Sequence, residues 1–143
     1  MVGTAAITEI AEFFEKELHV KIPGTQPLVG RDFNTTRAGI HADGLLKNEE
    51  IYNVFNTEKI LNRPVALAVT DKSGMAGIAL WVRQHFDKAQ TPVTKADPGV
   101  LKIYEAMMTQ YDAGRTTAIS DEEMLALVKQ HLAGWLKENG YEV

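Results

Sequence analysis

Apolar residues at positions 7, 10, 11, 14 and 18 recur at the spacing of one helix face, with Glu9, Glu12, Glu15 and Lys16 mostly opposite them. This pattern predicts an amphipathic helix from about Thr4 to Leu18. Pro23-Gly24 ends it, and Pro27 keeps the following backbone extended, so residues 19–33 read as a connection. A second helix is expected over Thr36–Lys47, although Gly39 and Gly44 each weaken it by about 1 kcal/mol relative to alanine. Glycines there suit close approach to the backbone. Residues 49–55 could add a further helical turn. Val65–Thr70 is a short apolar run that fits either a strand or the lead-in to a buried helix.

Downstream the helical period returns. Met75, Ile78, Ala79, Val82 and Phe86 form one stripe, predicting a helix over 73–86. Residues 87–96 read as a loop, the strongest break in the pattern. Asp97-Pro98 then combines an acidic N-cap with proline at the first helical position. Val100, Ile103, Tyr104, Met107 and Tyr111 line that helix up to Gly114, a C-terminal cap. Ser120 and Glu123 make a capping box. The helix they open carries Met124, Leu127, Val128, Leu132, Trp135 and Leu136 on one stripe and ends at Asn139-Gly140. The fold class that results is mainly α: a small helical linker subdomain over 1–64, then a helical C-terminal subdomain over 65–143, with room for a short strand pair.

Composition narrows the function classes. The chain has 143 residues, 45% hydrophobic and 24% charged, with a net charge of −4. It is too short for a (β/α)₈ barrel, which takes about 250 residues. The acidic balance argues against a nucleic-acid surface, which needs clustered Lys and Arg. No window approaches the run of about 20 apolar residues that spans a bilayer, so no membrane association is expected. The acidic first helix does not read as a signal peptide. With no cysteine, disulfides and thiolate chemistry are excluded, which fits a cytoplasmic protein.

The four histidines, His19, His41, His85 and His131, are too far apart for an i, i+4 metal pair, so no metal is expected on this chain. His85 and His131 sit near predicted helix ends, where a histidine simply complements the dipole. Lys72-Ser73-Gly74 lacks the glycines of a phosphate loop, and Ser73 reads better as a helix N-cap. Arg115-Thr116-Thr117 could bind an anion, yet a solvated loop is the plainer reading. Asp121, Glu122 and Glu123 suit the first turn of their helix. His41 differs in its setting, Arg37-Ala38-Gly39-Ile40-His41-Ala42-Asp43-Gly44, with Tyr52 eleven positions on. By spacing alone it too reads more simply as a structural or surface histidine, because catalytic histidines need partners that spacing does not reveal.

That segment resembles the catalytic linker of the isopropylmalate synthase, homocitrate synthase and Re-face citrate synthase family, which condenses acetyl-CoA with a 2-oxoacid. The likeness runs from Thr4 to about Val128. It includes Ile7-Thr8-Glu9-Ile10, Pro27-Leu28-Val29-Gly30, Phe33, Gly39-Ile40-His41 and Lys72-Ser73-Gly74-Met75-Ala76-Gly77-Ile78. In that family a helical linker covers a barrel that binds a divalent metal and the 2-oxoacid. The resemblance implies that His41 is the acid/base residue acting on the acetyl-CoA methyl group. It makes Tyr52 the hydroxyl that orients substrate or stabilises the developing oxyanion. It implies acetyl-CoA as co-substrate, a divalent metal carried by the barrel, and a barrel domain or subunit as partner, with self-association of an uncovered apolar face. Ala38 is more like homocitrate synthases, whereas Asn48-Glu49-Glu50-Ile51-Tyr52 and Gly114–Ser120 resemble the Re-face citrate synthase branch. The expectation is a C-terminal piece or split subunit, inactive alone, beginning where the barrel should end. The alternative is a non-catalytic helical interaction or regulatory domain derived from the same scaffold.

Overall fold

The computed structural model describes residues 3–36, 41, 43–44 and 55–142. It is mainly α and divides into two compact units, Met1–Thr36 with Asn48–Ala66, and Arg37–Lys47 with Leu67–Val143.

In the first unit, helix α1 spans Ala6–Lys16 and strand β1 spans Thr35–Thr36. A short helix, α2, covers Thr57–Leu61. Its existence escapes the sequence pattern because five residues show no period. Its signals are local. The Asn56 side chain accepts from Lys59 N at 2.9 Å, and Asn62 at φ 54° stops the helix before Pro64. Thr8 Oγ1 donates to Leu61 O at 2.6 Å, which fastens α1 to α2. Asn34 Nδ2 lies over the end of α2, donating to Pro64 O at 3.0 Å and Arg63 O at 3.3 Å. The Arg63 guanidinium sits 4.9 Å from the Phe33 ring centre. Residues 19–33 form the expected connection, closed by bonds such as Asp32 N to Gly24 O at 2.8 Å.

The helix expected from Thr36 begins later, since Thr36 belongs to β1. His41, Asp43 and Gly44 are helical, while Gly39, Ile40 and residues 45–54, Tyr52 among them, lie outside the described residues. The run Val65–Thr70 resolves as a strand. Ala66–Leu67 forms β2 in a two-stranded sheet with β1, and Val69 bridges Ile119 antiparallel.

The second unit stacks four helices in chain order: α3 (Gly74–His85), α4 (Pro98–Asp112), α5 (Asp121–His131) and α6 (Ala133–Glu138). Their stripes converge, except that Met75 of the α3 stripe is exposed and Trp81, outside it, is buried. Ile78, Trp81, Val82, Ile103, Met107, Met124, Val128 and Leu136 are all at most 1% exposed. Each such side chain contributes roughly 1.5–3 kcal/mol by leaving water. Phe86, Trp135 and Tyr141 close the far end, with Phe86 edge-on to Tyr141 at 4.9 Å. Among the described residues, no helix is long and apolar enough to cross a membrane.

Both helix ends read from glycine are Schellman motifs. After α4, Gly114 N bonds Tyr111 O and Arg115 N bonds Gln110 O, a geometry that Gly114 permits with φ at 101°. The same pair of bonds, from Gly140 and Tyr141, ends α6. Two expectations need correction. Asp97 stands at the N-cap of α4, but its side chain makes no capping bond, and proline at the first position removes one donor that would need it. The last stripe is not one helix either: Leu132, at φ −119° and ψ 22°, separates α5 from α6.

Gly99 packs against the break. A β-carbon there would lie 2.8 Å from His131 O and 2.9 Å from Leu132 Cγ, so α4 presses its first turn directly on the bend. Overpacking of this kind costs about 1–3 kcal/mol. Gly99→Ala should therefore lower stability by that amount, measured as the urea midpoint at unchanged slope; an unaltered midpoint would show that the bend yields freely.

Candidate functional site

The segment bearing His41 is built into the second unit through Asp43 and Gly44. Gly44 is buried, Asp43 is partly buried, and His41 is exposed. Lys95 Nζ donates to Asp43 Oδ1 at 2.6 Å, joining residues 52 positions apart. A helix turns about 100° per residue, which puts Asp43 about 200° round from His41. Asp43 is fastened to the body of the unit, while His41 is exposed. The structure ties Asp43, two residues from His41, to Lys95. The other residue named with His41, Tyr52, lies outside the described residues.

The remaining candidates resolve into structural roles. Ser73, fully buried, stands at the N-cap of α3 but does not cap it. Its hydroxyl accepts from Thr70 N at 2.9 Å and donates to Ala68 O at 3.1 Å, closing the turn between the Val69 bridge and α3. Gly77 of the same motif packs against Ser73, so Lys72–Ile78 is a packing motif here. His85 stacks on Trp81 with ring centres 3.7 Å apart, its Nδ1 3.0 Å from Trp81 O and its Nε2 3.9 Å from Asp121 Oδ2. Asp121 does more than favour the helix dipole: it accepts from Trp81 Nε1 at 2.9 Å, giving a buried indole its partner. His19 is exposed with φ at 52°, and His131 ends α5 partly buried.

Arg115 is the residue whose role sequence reading missed. All five of its N–H donors are used. Nε reaches Thr117 O at 3.1 Å, and Nη1 reaches Gln110 Oε1 at 2.7 Å and Glu123 Oε1 at 2.6 Å. Nη2 reaches Ala118 O and Glu123 Oε2, both at 2.7 Å. An anion would have to displace a bidentate carboxylate to bind here, so the Arg115–Thr117 run is a structural corner. The capping box is genuine: Glu123 N donates to Ser120 Oγ at 3.2 Å, and Glu123 Oε2 also accepts from Ser120 N at 2.8 Å. Tyr111 donates its hydroxyl to Thr117 O at 2.8 Å. Burial pushes its phenol up, with the Arg115 charge pulling the other way. The Arg115 side chain, donating to its carboxylate, holds Glu123 down at about 2.

A further feature lies in the first unit. Ile10, Phe13, Phe14 and Leu18 are between 43% and 56% exposed, which is unusual for large apolar side chains on one helix. Beside them a cavity of about 320 Å³ is lined by Ile7, Ala11, Val20, Ile22 and Val29. Among the described residues, no group of three His, Asp or Glu side chains gathers to hold a metal ion.

By sequence the chain belongs to the isopropylmalate synthase and citrate (Re)-synthase family. No protein-family model matches it. It is 51% identical over 132 residues to the citrate (Re)-synthase of Syntrophus aciditrophicus, covering 92% of this chain and 21% of that enzyme. With the citrate (Re)-synthase of Clostridium kluyveri it shares 51% identity over 125 residues, 87% of this chain and 28% of the relative. The 2-phosphinomethylmalate synthase of Streptomyces hygroscopicus is 33% identical over 132 residues, 92% of this chain and 29% of the enzyme. The chain thus spans roughly a quarter of the length of these relatives, in their C-terminal part.

The Glu123 carboxyl supplies a pH test of the corner. Its folded pKa, about 2, lies below the ordinary 4.5, so the stability it contributes is fully present above about pH 4.5 and is lost as pH falls toward 2. Glu123→Gln should flatten the fall of Tm over that window. A variant curve parallel to the parent's would remove the pair as the cause.

Proposed function

We propose that this chain is the part of a citrate (Re)-synthase-type acyltransferase that carries the acid/base histidine to a catalytic barrel. The observation that carries this reading is the 51% identity to two citrate (Re)-synthases along about nine-tenths of the chain. In this reading the 2-oxoacid is oxaloacetate and the co-substrate is acetyl-CoA. His41, with a carboxylate of the barrel, removes a proton from the methyl group of acetyl-CoA, and the enolate carbon attacks the ketone. Tyr52 presents its hydroxyl to the oxygen where negative charge develops. Hydrolysis of the thioester then releases the free thiol. The barrel would bring the divalent metal and the 2-oxoacid.

Exposure of His41 supports this assignment, because a base that works on a substrate held by another domain must project from its own. The apolar face of α1 and its neighbouring cavity suit burial against the remainder of such an enzyme, or self-association without it. That face also favours a second reading, an interaction domain without chemistry, since docking would need it in either case. A chain without cysteine is at home in the cytoplasm, where we place it.

His41→Ala in the complete enzyme separates the two. Acid/base groups contribute roughly 10²–10⁴-fold, so kcat for thiol release from acetyl-CoA and oxaloacetate should fall at least about 10²-fold with assembly intact. An unchanged kcat with weakened assembly would favour the interaction domain. The isolated chain should release no thiol; turnover by it alone would sink the catalytic-partner reading.

A further inference from the structure

We infer that Lys95 is a positioning residue for His41, fixing through Asp43 the turn of helix that presents the imidazole. This rests on the reading of His41 as the acid/base group. Three observations carry it. The first is the pair itself, Lys95 Nζ to Asp43 Oδ1 at 2.6 Å, with the Asp43 side chain only 28% exposed. The second is proximity along the chain: Asp43 is two residues from His41 and both are helical, so a tether at one restrains the other.

The third is the stiffness of the platform under Lys95. Val93, two residues before it, is fully buried, and its carbonyl accepts from Arg83 Nε at 2.8 Å. Thr91 is held from both sides, its carbonyl by Trp135 Nε1 at 2.8 Å and its N–H by Asn139 Oδ1 at 3.0 Å. Just after Lys95, Asp97 N bonds Thr94 O at 3.1 Å and α4 begins. The 87–96 connection is thus pinned to α3 and α6 and bolted to the start of α4. A lysine on such a platform presents its ammonium at a defined place. An anchor on a rigid element and a base two residues from its partner form a lever, in which a small shift at Asp43 moves the imidazole. Misplacement of a reacting group by about 1 Å can cost up to about 10²-fold in rate.

Because Lys95 is 57% exposed, the pair adds little to overall stability, and its effect should be local. Lys95→Met in the complete enzyme should lower kcat roughly tenfold with KM and Tm nearly unchanged, since orientation rather than binding is lost. Lys95→Arg should retain most of the rate, and Lys95→Asp combined with Asp43→Lys should recover part of it. In the isolated chain, the ring Cε1–H NMR signal of His41 should shift in Lys95→Met while those of His19, His85 and His131 hold still. Wild-type kcat in Lys95→Met, beside a slow His41→Ala enzyme, would overturn the inference and leave the role of His41 standing. Wild-type kcat in His41→Ala would overturn that role instead. A His41 signal unmoved by Lys95→Met would also overturn the inference.

Discussion

The second unit depends on the guanidinium of Arg115. It fills the corner between α4 and α5, where the chain must reverse direction within eight residues and leave several backbone carbonyls facing inward. A lysine could not replace it, because three donors on one nitrogen cannot serve two carbonyls, an amide oxygen and both oxygens of a carboxylate in separate directions. The corner sets Ile119 where it bridges Val69. That bridge, with the Ser73 hydroxyl, orients the entry to α3. Asp121, the first residue of α5, then meets Trp81 at the centre of α3. One side chain thus aligns three helices, and the apolar stripes pack because their axes have been set.

The two units are assembled from different physics. In the second, apolar residues point at one another and polar groups find partners at helix ends. In the first, the strongest ties are hydrogen bonds from Thr8, Asn34 and Arg63 to backbone carbonyls, and the largest side chains of α1 look outward. A helix with that distribution is amphipathic toward something other than its own unit. The chain spans about a quarter of the length of the relatives it matches.

Most of the helical architecture was legible because its determinants are local. The stripes of α3, α4 and α5, the Ser120 capping box and the glycines after α4 and α6 all act within a few residues. Where the determinant was distant, reading along the chain failed. Gly134 is a local hint of the break at Leu132, but the close packing of Gly99 on that bend, more than thirty residues earlier in the chain, has no signature in spacing. Ser73 read as a helix N-cap and instead closes a turn, because its buried hydroxyl bonds Thr70 N and Ala68 O. Arg115 looked like an exposed loop cation, and its carboxylate partner was credited only with capping. At the candidate site, the glycine-flanked segment drew attention to His41, but the exposure of His41 and the pairing of Asp43 with Lys95 are tertiary facts with no signature in spacing.

The Arg115 corner also bears on the order in which the chain can fold. Its side-chain bonds reach no farther than eight positions, from Gln110 to Glu123, so each closes a short loop at little entropic cost. The Gly99 contact with Leu132 and the Trp81 bond to Asp121 close loops several times longer. A hairpin of α4 and α5 can therefore condense before α3 docks, giving the longer-range contacts a preformed surface on which to assemble.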